Sequence, residues 1–400
     1  MGISRLLHHL EPYATPVVLE KNKNDDAREA GITSTKLIID GPGLAYYAYH
    51  QTISRRSQAG NALEAMPTYK EVNVFVFKLL AQLERCGLDI AAIFFDGRLP
   101  HTKRETRISR LQTYLNQLIN FRAQHPQGPR CDPKEVFMYN DIFASRPIPA
   151  KLRNLPAAPF LVPSVIESLQ ASQYASVTCV VPGEADAFCA DLAKTDGGGI
   201  VLSGDSDLLV HDLGPEGCVM LFRDIDLGDR GKLKTFVYQP ANIASAVGLG
   251  SLLPLAFVLS VDCYRTMPEC IRLAKEVGME TVGFREFCRE YGEVTADRPA
   301  PATLPDNASH LQQIISQHLR VLDPRISEYV YQVVGTTSNS SSPDPADSSR
   351  TMYLPFLIDD PSRASSWRPS TPLRQLAYST LNLSTQHPDD PTSTEEFQRR

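Results

Sequence analysis

Four short apolar runs mark the first half of the chain. Lys36–Asp40 (KLIID), Ile90–Asp96 (IAAIFFD), Val177–Val181 (VTCVV) and Gly199–Ser203 (GIVLS) are continuous rather than alternating. That pattern predicts strands buried on both faces. Between them, apolar residues recur at helical spacing. Glu71–Arg85 predicts a helix closed by Cys86-Gly87. His101–Phe121 predicts a second, with a basic start and apolar positions at Ile108, Leu111, Leu115 and Leu118. Pro147–Pro163 predicts extended chain, and Ser164–Ser172 a helix capped by Ser164. Glu184–Lys194 predicts a helix after the Pro182-Gly183 turn. Strands alternating with helices predict an α/β fold with a mainly parallel central sheet covered by helices.

From Gln239 the strand signal fades. Pro240–Val247, Leu252–Tyr264 and Glu269–Gly278 read as helices, a smaller helical region after the sheet. Thr336–Arg350 (TTSNSSSPDPADSSR) is polar and rich in Ser and Pro, which predicts a flexible linker. Thr351–Leu383 regains apolar character, and Arg374–Leu383 could form a docking helix. No internal repeat is seen.

Composition narrows the classes. The chain has 400 residues, 42% hydrophobic and 22% charged, enough for one large or two ordinary domains. Its formal charge of -6 argues against a generic nucleic-acid coat. No apolar run nears the ~20 residues that span a bilayer, so no membrane role is expected. The N-terminus MGISRLLHHLEPYATP lacks a secretory core, and Leu6 breaks the myristoylation pattern. Eight scattered cysteines without a C-x-x-C pair predict reduced intracellular thiols, not zinc or disulfides. A nuclear location is expected, although no Lys/Arg-rich run encodes one.

The strand ends carry the chemistry. KLII ends in Asp40 and AAIFF in Asp96; VTCVV leads to Glu184 and Asp186, and GIVLS to Asp205 and Asp207. One Asp at a strand end is ordinary turn chemistry, and Glu184 with Asp186 would equally suit a helix N-terminus. In a parallel sheet, however, all four ends share one edge, where ligands bind. Six converging carboxylates raise one another's pKa. A divalent cation relieves that, and oxygen-only donors suit Mg2+ or Mn2+. Two such ions about 4 Å apart are the usual apparatus for phosphodiester hydrolysis.

These residues resemble the XPG/flap-endonuclease family of structure-specific 5′ nucleases, within the PIN-like superfamily. MGI, IIDG, the FFDG block with its following Pro, Lys and Arg, VPGEADAFCA and LSGDSDLL occur in the family's order over residues 1–265. PFLVPSVIESL and the later PFLIDDPSRASSW and LRQLAYSTL segments resemble the asteroid-like branch, common in fungi. The resemblance implies a 5′-nuclease fold and metal binding by Asp40, Asp96, Glu184, Asp186, Asp205 and Asp207. It also implies a seventh acid, placed at Asp262 in LPLAFVLSVDCYR; a surface residue at a helix C-terminus is the alternative there. The organisation it implies is a nuclease domain at 1–238 with an arch-like insertion at 98–160. A helical region with a degenerate helix–hairpin–helix follows at 239–335, then the linker at 336–350 and a C-terminal segment at 351–400.

Lys103 and Arg110 lie seven residues apart, on one helical face, with Arg104 and Arg107 nearby. A solvated basic face is the plain reading. The resemblance makes Lys103 and Arg110 electrostatic catalysts at the scissile phosphate, and Arg104 and Arg107 nucleic-acid contacts. Tyr46 matches a position that stacks on a nucleobase, with Tyr47 and Tyr49 as neighbours and a core tyrosine as the alternative. One departure stands out: no glycine falls between Asp262 and Gly278, where the family grips duplex backbone.

The expectation is a divalent-metal endonuclease of DNA repair, and the resemblance implies that it leaves a 5′-phosphate and a 3′-hydroxyl. Its partners would be branched or flapped DNA, with RNA an alternative, and a protein bound through the C-terminal segment; the default state is a monomer. The competing reading is a non-catalytic nucleic-acid- or protein-binding scaffold on the same fold. A phosphatase needs D-x-D-x-[TV] after the first strand, and Asp40 is followed by Gly-Pro-Gly.

Overall fold

The structure is a computed structural model. It describes residues 3–21, 34–56, 58–97, 99, 103–126, 147–227, 232–278, 281–291, 319, 321–334, 350–383 and 394–397. All of the expected linker except Arg350, and much of the expected arch-like insertion, lie outside the described residues.

Eight strands form one sheet. They are β1 (Thr15–Glu20), β2 (Lys36–Asp40), β3 (Asp89–Phe95), β4 (Thr178–Val180), β5 (Ile200–Ser203), β6 (Cys218–Leu221), β7 (Asp226–Leu227) and β8 (Lys232–Tyr238). Their order is β1-β8-β6-β5-β2-β3-β4, with β7 on β8. The four strands expected from the sequence, β2, β3, β4 and β5, run parallel to one another, and β6 extends them in parallel. The far edge is antiparallel, where β8 pairs with β6, β1 and β7.

Helices cover both faces, as the continuous apolar strands require. Leu37 and Ile39 of β2 enter a core built with the helices Gly41–Ser54, Tyr69–Arg85 and Leu161–Gln170. Ile38, between them, enters the opposite core with Ala185–Thr195, Pro240–Ala246 and Leu253–Val261. Helix Met267–Glu276 follows, packed on Leu253–Val261, and then Val282–Tyr291.

Several expected boundaries shift for local reasons. The helix assigned to start at Ser164 starts at Leu161, because Pro163 is tolerated in a first turn. Ser164 caps nothing there; its Oγ instead accepts a hydrogen bond from Asn73 Nδ2 at 3.0 Å. The helix expected to reach Tyr264 ends at Val261, where Asp262 turns extended.

The basic segment is the helix Arg104–Gln124. Its distal end buries Leu118 and Phe121 against Phe356 and Ile358 of the C-terminal segment. Helix Pro324–Val334 and strand β9 (Arg350–Tyr353), paired in parallel with β10 (Thr394–Phe397), belong to the same region. The expected C-terminal helix spans Thr371–Leu383. No helix among the described residues is long and apolar enough to cross a membrane.

Candidate metal centre and nucleic-acid interface

Three of the four acidic strand ends lead into a helical turn, and Asp96 reaches the start of one of them. Asp40 closes β2 and caps the helix Gly41–Ser54, with Oδ1 accepting the Gly43 N–H at 3.2 Å. Asp96 follows β3 and accepts the Ala185 N–H at 2.8 Å, at the N-terminus of Ala185–Thr195. Glu184 holds the N-cap position of that helix, and Asp186 its first turn. Asp205 follows β5 and caps the short turn Ser206–Val210 through the Asp207 N–H at 3.1 Å. Helix N-termini favour negative charge, and Glu184 and Asp186 both begin a helix and face the sheet edge.

The parallel register brings these ends together. Asp40, Asp96, Glu184, Asp186, Asp205 and Asp207 line one cavity of about 690 Å³. Lys103, Arg107, Arg110 and Tyr46 line it too. Among the described residues, no three Asp, Glu, His or Cys side chains converge as a ready-made metal cage. The acids line the cavity rather than meet at one point.

Their environments differ. Asp40, only 7% exposed, also accepts the Ser203 hydroxyl at 2.7 Å. Burial raises its pKa, and the Ser203 and Gly43 donors work against that. Burial, then the charge of Asp40, pushes Asp96 up to about 6, while the Ala185 N–H and Arg107 pull it down. Asp207 also rises to about 6 through burial and Asp205. Its carboxyl accepts the Ile3 N–H at 2.7 Å and the Tyr291 hydroxyl at 3.0 Å. Asp186 stands apart. Burial and the charges of Asp40, Asp205, Asp96 and Glu184 raise it well above the usual range. Among the described residues, its carboxyl has neither a hydrogen bond nor an ion pair.

That is the test of fit for a cation. A carboxylate ringed by four others needs a proton or a metal. The donor set is all oxygen, which suits Mg2+ or Mn2+ over zinc. Asp40, Asp96, Glu184, Asp186, Asp205 and Asp207 are the residues that could hold it.

Gly43 is part of this geometry. A Cβ there would lie 2.3 Å from Asp40 Oδ2 and 3.1 Å from the Gly204 nitrogen. Gly43→Ala is expected to displace the Asp40 carboxyl, destabilising the fold by about 1–3 kcal/mol. Divalent-cation affinity should fall with it, read by calorimetry against wild type.

The basic side is divided. Lys103 Nζ lies 3.7 Å from Glu184 Oε1 and 5.9 Å from the Tyr291 ring centroid. Arg110 is exposed and lines the cavity with Tyr46, which is 41% exposed. Arg107 is drawn toward the C-terminal region. Its Nη1 donates to both Glu328 oxygens at 2.9 Å, and its guanidinium lies 4.5 Å from the Tyr353 ring centroid. Arg104 hydrogen-bonds Tyr353 and does not line the cavity.

Glu328 is only 4% exposed. Losing one partner of a buried pair leaves an uncompensated charge. Arg107→Ala is therefore expected to cost about 3 kcal/mol, and Glu328→Gln only about 1 kcal/mol, as measured by urea unfolding.

Asp262 is not brought to the acids. It follows the last turn of Leu253–Val261, pairs with Arg265 at 3.2 Å, and is absent from the cavity wall. Sequence reasoning missed two residues, Tyr291 on the cavity wall and Glu328 against Arg107. Tyr291, in REFCREY, bonds Asp207; Glu328, in RISEYV, bonds Arg107. No spacing motif marks either residue, and both act across long separations in the chain.

Comparison with known proteins gives one family match. A family model described as XPG domain containing matches residues 157–400. That span includes Glu184, Asp186, Asp205 and Asp207; Asp40, Asp96 and Lys103 precede it. Asteroid homolog 1 of Schizosaccharomyces pombe is 23% identical over 412 residues, covering 100% of this chain. The chain spans 64% of the length of that curated relative. Among solved structures, the catalytic core of Rad2 in complex with DNA substrate is similar at a TM-score of 0.40 and 15% identity. The match covers 99% of this chain and 90% of that one. Human GEN1 in complex with Holliday junction DNA is similar at 0.34 and 14%, covering 73% of this chain and 60% of that one.

Proposed function

Because the chain belongs to the family of XPG domain-containing proteins, we propose that it is a divalent-metal-dependent, structure-specific nuclease. Its substrate in this reading is branched or flapped DNA, with structured RNA as the alternative polymer. One observation carries the reading: six carboxylates from four strand ends line one cavity beneath Lys103 and Arg110.

Asp40, Asp96, Glu184, Asp186, Asp205 and Asp207 hold Mg2+ or Mn2+, two ions in the full site. When bound, the ions supply an activated water and stabilise the leaving oxygen. The chain's own residues do the rest. Lys103, held by Glu184 and the face of Tyr291, places a point charge beside the acids. Arg110 adds a planar donor set for a phosphate. Together they stabilise charge on the scissile phosphate. Tyr46 offers an exposed ring at the mouth for a base to stack on. Arg107 serves the architecture first, because its charge is already met by Glu328. Asp262 is left out of the ligand set.

The nuclease unit of this reading spans residues 1–238 and the helical region residues 239–335. The protein works in the nucleus, in DNA repair, as a monomer whose C-terminal segment can meet a protein partner. A non-catalytic scaffold is the second reading, favoured by the remote Asp262 and the glycine-free segment after it.

A gel assay separates the two. Wild type and Asp205→Ala are given 5′-flap, bubble, single-stranded and duplex DNA and a structured RNA, with Mg2+, with Mn2+ and with chelator. Metal-dependent cutting by wild type alone supports the nuclease. Retained metal-dependent cutting by Asp205→Ala, or none by a folded wild type, overturns it.

A further inference from the structure

We propose that Arg285 and Arg289 grip the sugar–phosphate backbone of the polymer strand that leaves the acid cavity. This inference rests on the nuclease reading and deepens it. It starts from a second groove, of about 870 Å³, beside the first. His211 and Tyr291 line both, so the two adjoin. Tyr291 stands between the two. Its hydroxyl bonds Asp207 in the acid cavity, and its ring meets the His211 ring at 6.2 Å. The same helix, Val282–Tyr291, presents Arg285 and Arg289 to the groove.

The charges there are arranged for an anion. Residues four apart on a helix share a face and lie about 6 Å apart along it. Arg285 and Arg289 are exposed and make no ion pair among the described residues. The arginines of the preceding helical stretch differ: Arg265 is paired with Asp262 and Glu269, and Arg272 with Glu276. Within the groove, Lys194 is offset by Asp212 at 2.7 Å, and Asp191 is a further acid of the wall. Glu286, on the arginines' own helix, does not line it. Two guanidiniums therefore outweigh one carboxylate, in a groove that adjoins the acid cavity. Guanidinium groups suit phosphate recognition, since they offer paired donors in a fixed plane. The segment between Asp262 and Gly278 has no glycine to let backbone approach a phosphate. Side-chain contacts from the next helix supply an anchor of a different kind.

The test reads binding without cleavage. Fluorescence anisotropy follows a labelled 5′-flap DNA bound to the full chain in chelator, across a salt series. The double variant Arg285→Ala/Arg289→Ala is expected to bind about tenfold more weakly, with a salt slope reduced by about 1.5. Arg272→Ala, which removes an exposed, paired arginine nearby, should stay within about twofold of wild type. Equal affinity and slope for the double variant overturns the inference while leaving the nuclease reading standing. An equal loss in Arg272→Ala overturns it too, as a general charge effect. Failure of wild type to bind either this probe or a labelled structured RNA overturns both.

Discussion

Replacing Asp186 with asparagine is expected to stabilise the metal-free protein and to remove its cleavage. The two effects share one cause. The Asp186 carboxyl is surrounded by Asp40, Asp96, Asp205 and Glu184, and itself has neither a hydrogen bond nor an ion pair among the described residues. The amide keeps the shape and deletes the repulsion. Without metal, the variant should gain about 1 kcal/mol, the usual scale of a surface or cavity charge optimisation. With Mg2+, it should lose a cation ligand and about 100- to 1000-fold in single-turnover rate, the range seen when a charge-stabilising group is removed. A variant that is less stable in chelator and still cuts at the wild-type rate would show that Asp186 is a turn residue only.

The second large effect is a pH dependence that divalent cations reverse. Asp96 and Asp207 have folded pKa values of about 6, against an ordinary 3.8. Between those values the folded state holds protons that the unfolded chain has released. Stability of the metal-free protein must therefore fall as pH rises from about 4 to about 6, and stay low above that. The expected loss is up to about 6 kcal/mol for the two groups together, read from urea midpoints in chelator. Mg2+ at about 100-fold above its dissociation constant should restore about 2.7 kcal/mol at pH 7.5. At pH 5 the same acids are largely protonated, and the cation should restore far less. A metal-free profile that rises through this window, or a Mg2+ effect of equal size at both pH values, would contradict the arrangement of the acids.

Much of this centre could be seen in the sequence, for a physical reason. A parallel strand buried on both faces must be continuously apolar, so its polar end is conspicuous. KLIID, IAAIFFD, VTCVV and GIVLS are such strands, and the acids after them fall on one edge because parallel strands end together. The antiparallel edge was hidden. In β8, alternate exposure of Lys232, Lys234 and Phe236 dilutes the apolar signal, and its partner β1 lies more than 200 residues away. The helix Gly41–Ser54 was masked by Gly-Pro-Gly, which reads as a turn; in fact Asp40 caps it and Gly43 leaves room for the carboxyl.

Asp262 shows the limit in the other direction. The apolar helix before it places an acid at the right distance along the chain, but its side chain pairs with Arg265. Spacing along one helix says nothing about which way its final residue turns. Arg107 is similar. Its charge suits a phosphate, yet a glutamate 221 positions away takes it. Pairings of this kind depend on how distant elements dock, and no local period records them.

The central claim is that the strand-end acids hold divalent cations, and calorimetric titration of Mn2+ into the full chain at pH 7.5 tests it most directly. The account predicts saturable binding by wild type, with at most two ions, and loss of at least one of them in Asp186→Asn under the same conditions. Undiminished Mn2+ binding by Asp186→Asn, or no binding by folded wild type, would contradict it.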